Sequence, residues 1–538
     1  MADTHSPAQR YLSTRGGSYG LSFEDVVLKG LATDGGLFIP ESIPYLPSDW
    51  FTAWSKLTFQ QLAYEILSLY ISPAEIPPAD LRNLVERSYS TFRHPEVTPT
   101  VPLSKHQSPS EPQKYLLELF HGPTFAFKDV ALQFVGNLFE YFLQRKNEGK
   151  AGAERHHLTV VGATSGDTGS AAIYGLRGKK DVSVFILHPH KRVSAIQEAQ
   201  MTTVLDRNVH NVAVEGTFDD CQDTVKSLFS DPEFNKLHNL GAVNSINWAR
   251  ILAQITYYFY SYFSLARKLN LTSPDPSVLV PIYVVPTGNF GDILAGYYAK
   301  RMGLPIRSLW IATNANDILY RFFDSGVYEK QTTAAANIKD GVKADASGVK
   351  ETLSPAMDIL VSSNFERLLW YLALEAESDG TPAGAGDTVA KWMSEFKSTG
   401  RLAPQAPVRE AFRKTFSSRR VGDDEILATI KSTYEKYDYI LDPHTAVGVS
   451  VMNAIIPPKE EVAGGEVWIT LSTAHPAKFS GAVDLALEGV NGYSFEEKVR
   501  PREFVGLEER ERRCRVVGVV DAEVVKGVIE EELRGERE

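Results

Sequence analysis

Apolar and polar positions are distributed differently in the first hundred residues and in the rest of the chain. In the first part, amphipathic spacing predicts helices at Phe23–Ala32 and Phe59–Tyr70, with a turn at Asp34-Gly35-Gly36 between them. Later, short continuous apolar runs alternate with helical patterns, which is typical of parallel strands buried on both faces of a sheet. The strand-like runs are Leu158–Val161, Val182–Leu187, Val209–Val214, Ile282–Val285, Leu309–Ala312 and Val467–Leu471.

This alternation predicts an α/β protein whose helices include Asp129–Leu143 and Trp248–Lys268. We divide the chain into a small α-rich N-terminal domain at 1–100, a central α/β region at 101–485 and a charged C-terminal extension at 486–538. The extension is dense in charge and shows no evident sheet core, although its valines indicate some packed structure. Loops are predicted at Thr332–Gly348 and Glu377–Gly386.

The composition narrows the class of protein. Of 538 residues, 43% are hydrophobic and 23% are charged, as in ordinary globular proteins. The net charge of −11 disfavours nucleic-acid binding, which needs a basic surface. Two cysteines, Cys221 and Cys514, provide no disulfide framework and fit a reducing compartment. We find no leader pattern and no apolar run long enough for a membrane span, so we expect a cytoplasmic protein with no membrane partner.

Lys128 is the first candidate for chemistry. It follows the turn at His121-Gly122-Pro123 and opens a strongly apolar helix. The positive end of the helix dipole and burial beside phenylalanines both lower the pKa of a lysine, which suits imine formation and proton transfer. Considered alone, the same residue also fits a half-buried lysine whose amine lies in solvent.

Three further segments place small and polar residues at the end of a strand. Thr164-Ser165-Gly166-Asp167-Thr168 and Gly288-Asn289-Phe290-Gly291-Asp292 offer backbone and hydroxyl donors where a helix begins, and such sites bind carboxylates and phosphates. Ser472-Thr473 follows an apolar strand, at the edge where ligands bind in open α/β sheets. Each segment alone also fits an ordinary capped turn, with Lys478 on the surface in the third case.

A lysine of lowered pKa and two anion-binding loops together predict a phosphorylated cofactor and an anionic substrate. Pyridoxal phosphate fits, because the lysine can hold its aldehyde, one loop its phosphate, and the other loop an amino-acid carboxylate. A metal enzyme is disfavoured, because His156-His157 and His188-Pro189-His190 lack metal-ligand spacing. A serine hydrolase is disfavoured by the absence of GxSxG.

The chain resembles the threonine synthase family, in the branch shared by fungi and many bacteria. The resemblance rests on ELFHGPTFAFKD, ATSGDTGSAA, NSINWARILAQITYYF, VPTGNFGDILAGYYAKRMGLP, LDPHTAVG and STAHPAKF, in family order, and runs from about residue 12 to 482. It implies a tryptophan-synthase-β-like fold with two three-layer α/β subdomains, the smaller at roughly 125–240, with pyridoxal 5'-phosphate between them. The inserts at 332–348 and 377–390 and the C-terminal extension lie outside the matched blocks.

The resemblance also implies a reaction and residue roles. The reaction converts O-phospho-L-homoserine and water to L-threonine and phosphate, the last step of threonine biosynthesis. Lys128 matches the lysine that holds the cofactor, and Thr473 matches the hydroxyl that faces the pyridine nitrogen. The cofactor phosphate is expected at Gly288, Asn289, Phe290, Gly291 and Asp292. The substrate is expected at Thr164, Ser165, Gly166, Asp167 and Thr168 through its carboxylate, and at Asn247 and Arg250 through its phosphate.

Other functions stay open at this stage. A threonine or serine dehydratase would also use a lysine and a glycine-rich carboxylate loop, but it would need no phosphate site and would release ammonia. A noncatalytic protein that binds phosphorylated ligands would have no need of Lys128. We expect a monomer or weak homodimer that acts on a small molecule, with no nucleic-acid partner and no metal.

Overall fold

The structure is a computed structural model and describes residues 9–104, 111–331, 348–462 and 464–537. The strands are β1 (Tyr11–Ser13), β2 (Phe38–Pro40), β3 (Thr100–Pro102), β4 (Gln113–Glu118), β5 (Leu158–Ala163), β6 (Val182–Pro189), β7 (Val209–Val214), β8 (Leu240–Gly241), β9 (Val280–Pro286), β10 (Ser308–Thr313), β11 (Tyr328–Glu329), β12 (Arg401–Leu402), β13 (Phe416–Arg420), β14 (Glu466–Ser472) and β15 (Arg515–Val517). Each predicted strand lies within one of these, so those predictions are confirmed.

The helices follow in the same way. They are α1 (Phe23–Lys29), α2 (Trp50–Trp54), α3 (Phe59–Ser68), α4 (Pro78–Tyr89), α5 (Lys128–Lys146), α6 (Asp167–Leu176), α7 (Ala195–Thr202), α8 (Phe218–Ser230), α9 (Pro232–His238), α10 (Trp248–Lys268), α11 (Gly291–Met302), α12 (Ile318–Ser325), α13 (Phe365–Ala376), α14 (Pro382–Thr399), α15 (Ala406–Arg413), α16 (Asp423–Tyr437), α17 (Pro443–Ile455), α18 (Ser480–Leu487), α19 (Phe495–Lys498) and α20 (Ala522–Arg537). None of these helices is long and apolar enough to cross a membrane.

The N-terminal residues form a small, mainly helical unit. Strands β1 and β2 pair antiparallel, and α3 and α4 pack against α10 and α5. Thr58 caps α3 through a hydroxyl that accepts from the Gln61 amide, and the Gln61 side chain accepts from the Thr58 amide in return. The apolar faces of α3 and α4 are buried in the same core as the long helix α10, so this unit packs directly on the central region.

Two sheets form the rest of the molecule. The larger has the order β13-β10-β9-β14-β4-β3, and its strands are parallel except for the β3–β4 pair. The smaller has the order β15-β7-β6-β5-β8 and is parallel throughout. Helix α10 is buried along almost its whole length, because both of its faces contact other helices. The expected fold of two α/β subdomains is confirmed.

The C-terminal segment differs from its prediction as a charged extension without a sheet. β15 pairs with β7 and so completes the smaller sheet, and α20 buries Val525, Ile529 and Leu533 in that sheet's core. These three residues are spaced four apart, which makes one apolar stripe along an otherwise charged helix. The high density of charged residues therefore led the sequence analysis to miss β15 and the packing of α20, which both belong to the smaller subdomain.

The predicted loops had two different outcomes. At Glu377–Gly386, only the first residues lie outside a helix, because α14 begins at Pro382 with the hydroxyl of Thr381 accepting from the Gly384 amide. Proline is well tolerated in the first turn of a helix. The second half of this small and polar stretch, which was predicted as a loop, is therefore the start of a helix. The loop predicted at 332–348 lies outside the described residues except for Gly348.

Candidate active site

A cavity of about 3210 Å³ lies between the two subdomains. Its wall includes the carboxyl ends of β5, β9 and β14, where parallel α/β sheets place their ligands. Most of the predicted site residues line it: Lys128, Ser165, Asp167, Thr168, Arg250, Gly288, Asn289, Phe290, Gly291, Asp292 and Thr473. Thr164, Gly166 and Asn247 are buried behind this surface.

Lys128 is placed beside Thr473 by the backbone. The segment before α5 forms an isolated antiparallel bridge with the segment after β14, between Ala126 and Ala474. The amide of Phe127 donates to the carbonyl of Thr473 at 2.8 Å. Two parts of the chain that lie far apart in sequence are thus fixed to each other next to the lysine.

The amine of Lys128 has an altered acidity. Its pKa is lowered to about 8, chiefly by burial and also by the positive charges of Arg250 and Lys478, while Asp167 and Asp129 oppose the shift. A lysine in this state gives up its proton more readily at neutral pH than a surface lysine does. This property is what both imine formation and proton transfer require.

The 288–292 loop presents its backbone amides to the cavity. Its carbonyls are bound from outside, since Gly288 accepts from the Ser362 hydroxyl at 2.8 Å and Asn289 accepts from the amide of Asn364 at 3.0 Å. Phe290 has a φ of 62°, which turns the chain into α11. The amides of residues 288–291 donate to no acceptor within the described part of the chain. They form an anion-binding concavity at a helix N-terminus.

Asp292 closes this loop with an unusual carboxyl group. Burial raises its pKa to about 7, although the hydroxyls of Tyr257 and Tyr258 donate to Oδ1. The Oδ2 atom is buried without a hydrogen-bond partner among the described residues. The group is thus only partly ionised near neutral pH, so it opposes an anion in the loop less than an ordinary carboxylate would.

The 164–168 loop is built differently. The hydroxyl of Thr164 accepts from the amides of Gly166 at 2.9 Å and Gly169 at 2.8 Å, so it stabilises the loop and does not reach the cavity. Gly166 has a φ of 143°, a conformation that side chains other than glycine rarely adopt. The amides of Ser165, Asp167 and Thr168 have no acceptor among the described residues and belong to the cavity wall. This arrangement suits a carboxylate.

Lys478 was missed as a site residue, because the sequence analysis interpreted it as a surface lysine. Its side chain is fully buried, and Nζ lies 2.7 Å from Oδ1 of Asp167 and donates to the carbonyl of Thr124 at 2.9 Å. Burial raises the pKa of Asp167, but Lys478 and Lys128 outweigh that effect and hold it well below the usual range. The only sequence feature that could have indicated a site residue is the position of Lys478, five residues after Thr473 and beyond the end of a strand.

His444 is a second missed residue. It lines the cavity at the start of α17, and its Nε2 accepts from the amide of Ala356 at 3.0 Å. Nδ1 therefore carries the proton and donates to Asp442 at 2.9 Å. Asp442 also caps α17, which fixes the ring in one orientation.

Arg250 is the clearest sign of an anionic ligand. It is buried in the cavity wall, and Nη1 donates to the carbonyl of Val243 at 2.9 Å. Nε has no hydrogen-bond partner, and no carboxylate pairs with the guanidinium anywhere in the described residues. Burial lowers its pKa to about 10. A buried charge without a counter-charge is costly, which a bound anion would relieve.

Asn247, which the family resemblance assigns to the substrate phosphate, uses both ends of its side chain in contacts within the protein. Its Oδ1 accepts from the Ala249 amide at 3.1 Å, and its Nδ2 donates to the carbonyl of Val27 at 2.9 Å. Both ends of the side chain are therefore in use as the N-cap of α10. The residue fixes the helix on which Arg250 lies, and ties it to the N-terminal unit.

The residues of the cavity fit an aldehyde cofactor that carries a phosphate. Lys128 supplies an amine of lowered pKa, and the free amides of 288–291 supply a phosphate cradle. Between them, Thr473 offers a hydroxyl that forms no hydrogen bond within the described residues. The described residues contain no group of three or more histidine, cysteine, aspartate or glutamate side chains that could hold a metal ion.

Family profiles match most of the chain. The profile described as threonine synthase N terminus matches residues 10–89, and the one described as threonine synthase, C-terminal, matches residues 445–529. The profile described as pyridoxal-phosphate dependent enzyme matches residues 91–364. The last of these contains Lys128 and both glycine-rich loops.

Individual proteins match along their whole length. The threonine synthase of Schizosaccharomyces pombe is 57% identical over 529 residues, which are 98% of this chain and 99% of that protein. The crystal structure of threonine synthase from yeast superposes with a TM-score of 0.89 at 53% identity, over 98% of this chain and 100% of that one. The pyridoxal-phosphate-bound threonine synthase from Brucella melitensis gives a TM-score of 0.82 at 39% identity, with the same coverage.

Proposed function

This chain belongs to the threonine synthase family, and we propose that Lys128, the two glycine-rich loops and Arg250 carry that family's reaction in this protein. The reaction is a carbon–oxygen lyase reaction that converts O-phospho-L-homoserine and water to L-threonine and phosphate. Pyridoxal phosphate is the cofactor.

We assign the cofactor phosphate to the amides of residues 288–291 and the cofactor ring to the space between Lys128 and Thr473. When bound, pyridoxal phosphate supplies an electron sink for carbon–hydrogen bond cleavage next to the substrate amine. The hydroxyl of Thr473 is neutral, so it leaves the pyridine nitrogen largely unprotonated. Thr473→Asp is expected to change the absorption spectrum of the bound cofactor, and an unchanged spectrum would count against this contact.

The substrate has two anionic ends, and the cavity offers a separate site for each. We assign the carboxylate to the amides and hydroxyls of Ser165 and Thr168, at the start of α6. We assign the phosphate to Arg250, which lines the same cavity. Asn247 acts behind Arg250 by fixing the start of α10.

The observation that carries this assignment is the buried, unpaired guanidinium of Arg250. A dehydratase has a substrate with a single anionic end, and it would gain nothing from a second buried cation without a partner. A phosphorylated substrate supplies the missing charge, and charge-assisted contacts between arginine and phosphate are strong and directional. The geometry therefore favours the phosphorylated substrate.

Lys128 performs the proton transfers. Its Nζ, once released from the cofactor, takes the Cα proton and must pass it on before it takes a second proton, from Cβ, because a neutral amine accepts only one. Phosphate leaves Cγ with the electron pair of the C–O bond, and Nζ gives the proton from Cβ to Cγ. Water then adds its oxygen to Cβ as OH, its other proton goes to the released phosphate, and return of a proton to Cα completes threonine. Each removal step needs a neutral amine, and a pKa of about 8 makes that form accessible near neutral pH.

The size of the cavity supports closure of the subdomains during the reaction. Its volume of about 3210 Å³ exceeds the roughly 300–1,000 Å³ that is typical of small-molecule sites. Closure on a doubly anionic substrate would exclude bulk water while the reacting carbons are activated. Small-angle scattering with saturating substrate analogue should show compaction, and an unchanged radius of gyration would contradict closure.

For the finer properties of the protein, we propose a monomer or weak homodimer that works in the cytoplasm. Its two cysteines are both free thiols, which fits a reducing compartment. Analytical ultracentrifugation over a hundredfold concentration range tests the assembly state. Fluorescence microscopy of the tagged chain tests the location.

Product analysis tests the function. The holoenzyme with O-phospho-L-homoserine should release threonine and phosphate in equal amounts, and Lys128→Ala should release neither. Lys391→Ala is a matched control, because it removes an exposed lysine from α14. Release of ammonia and a 2-oxo acid would instead favour the dehydratase, with the cofactor assignment intact.

A further inference from the structure

Lys478 occupies a position that the reaction just described does not explain. It lies in the short turn after β14, on the side of the larger subdomain, and its side chain is fully buried. Its two partners, Asp167 and the carbonyl of Thr124, belong to the opposite wall of the cavity. Thr124 lies four residues before Lys128, and Asp167 is in the substrate loop. One ammonium therefore joins both working parts of the site.

The Asp167 carboxylate is the centre of this contact. Oδ1 takes the Lys478 ammonium at 2.7 Å and a hydrogen bond from Nε2 of Gln197 at 2.9 Å. A buried carboxylate that lost its cation would be strongly destabilised and would pair with whatever positive charge lies near. In this cavity the candidate is the amine of Lys128, because the charges of Asp167 and Lys128 already interact.

Four charged groups on different parts of the chain act on Lys128. Asp167 on α6 and Asp129 on its own helix favour the protonated amine, whereas Arg250 on α10 and Lys478 favour the neutral one. Asp129 is largely occupied, because both of its oxygens accept from Thr124. Asp167 is thus the carboxylate whose availability decides the charge of Lys128.

We propose that Lys478 is a positioning residue of the active site, which occupies the carboxylate of Asp167 and so prevents that carboxylate from pairing with the amine of Lys128. This inference rests on the proposed role of Lys128 as the proton carrier. Removing the charge at 478 frees Asp167 and also removes a like charge beside Lys128, so both changes favour the protonated amine. The pKa of Lys128 should then rise by about one unit or more.

Competitive labelling tests this directly. The full chain, freed of cofactor, is treated with a trace of acetic anhydride between pH 6 and 10, and acetylation of Lys128 is followed by mass spectrometry. Lys478→Gln keeps a hydrogen-bond donor but loses the charge, so its labelling midpoint should rise by about one unit, which lowers labelling about tenfold at pH 7. Lys478→Arg keeps the charge and should restore the wild-type midpoint. An unchanged midpoint in Lys478→Gln would overturn the proposal.

A double variant separates competition from a purely structural role. Asp167→Asn together with Lys478→Gln removes both members of the ion pair, so neither leaves its partner's charge unpaired, and the midpoint should lie at or below the wild-type value. A midpoint still raised by a unit would show that damage to the fold caused the shift. This variant also decides the matter if Lys478→Gln alone does not fold.

The pH dependence of kcat provides an independent measurement of the same effect. The acid limb of the kcat profile of the holoenzyme should move to higher pH in Lys478→Gln and return in Lys478→Arg. Because the labelling needs neither cofactor nor turnover, the proposal about Lys478 and the assignment of the reaction can fail separately.

Discussion

The two glycine-rich loops look alike in sequence but differ in how their charge is arranged. Both connect a parallel strand to a helix, and both place an aspartate in the first turn of that helix. In the 288–292 loop, Asp292 has no cation beside it, and burial raises its pKa to about 7. In the 164–168 loop, the cation of Lys478 pairs with Asp167 and keeps it ionised.

This difference matches the ligands that we assign to the loops. The cofactor phosphate is a dianion that stays bound between turnovers. Because Asp292 has a raised pKa and carries less negative charge than an ordinary carboxylate, the amides of 288–291 are free to stabilise this dianion. The substrate carboxylate comes and goes in every cycle, and a charge-compensated Asp167–Lys478 pair lets the site exist without it. Two loops of similar backbone conformation can therefore bind one ligand that stays and one that exchanges, because the side chains near each loop differ in charge.

The strongest test removes the cation that serves neither loop. Arg250→Met should lower kcat/KM by about a hundredfold or more, chiefly through KM, since losing a buried charge contact costs about 2–5 kcal/mol. The substrate-free protein should unfold at an unchanged or higher temperature, because an unpaired buried charge has been removed. Arg502→Met, at a fully exposed arginine, is the control and should change neither. An unchanged KM would contradict the phosphate assignment.

The next test distorts the substrate loop alone. Gly166→Ala forces a side chain into a φ of 143° and brings its Cβ within 2.6 Å of Gln197. Strain of about 1–3 kcal/mol should lower kcat/KM by roughly ten- to a hundredfold. Cofactor affinity, measured by fluorescence titration, should stay close to wild type. Gly527→Ala, which meets no atom within 4 Å, should be neutral.

The converse substitution distorts the cofactor loop. A Cβ at Gly288 would lie 3.1 Å from the carbonyl oxygen of Ala356 and 3.3 Å from Cα of Met357, so the loop must shift. Gly288→Ala should weaken cofactor binding by about tenfold, equivalent to about 1.4 kcal/mol. At saturating cofactor, the KM for substrate should hardly change. If both glycine variants altered the same parameter, the division of labour between the loops would be wrong.

A separate test, of stability against pH and not of activity, concerns the two aspartates. The pKa of Asp292 is raised from 3.8 to about 7, so the folded state holds its proton more tightly than the unfolded state. Its contribution is complete below about pH 4 and is lost as the pH rises through about 7, by about 1.4 kcal/mol for each unit of difference. Asp167 has a lowered pKa, so its contribution is present above pH 4 and is lost in acid.

Denaturant unfolding of the cofactor-free protein measures whether the free energy of unfolding rises or falls with pH. Wild type should lose stability relative to Asp292→Asn between about pH 4 and 7, and the difference should be constant at higher pH. A stability difference that is flat over that range would mean that Asp292 is ionised in the folded protein throughout. The buried Oδ2 atom without a partner would then need a cation that the structure does not place there.

The sequence located much of the site because its signals are local. Lys128 and both loops follow directly from strand ends and helix starts, which short stretches of sequence specify. Asn247 shows the limit of that reasoning. Its spacing from Arg250 is compatible with a shared ligand, but its amide caps α10 and binds Val27. Whether a polar side chain faces a ligand or the backbone depends on what packs against it.

The sequence by itself located six strands, the long helices, the lysine at the start of α5 and the two glycine-rich loops. Tertiary structure decided the charge of each group, because charge depends on burial and on partners from distant parts of the chain. From the sequence alone, Lys478 fits a surface residue, but the fold buries it where the turn after β14 meets the start of α6. Likewise, β15 fits a charged tail in sequence, but it pairs with β7 in the fold. Short-range patterns specify backbone conformation, whereas desolvation and ion pairing exist only once the subdomains are assembled.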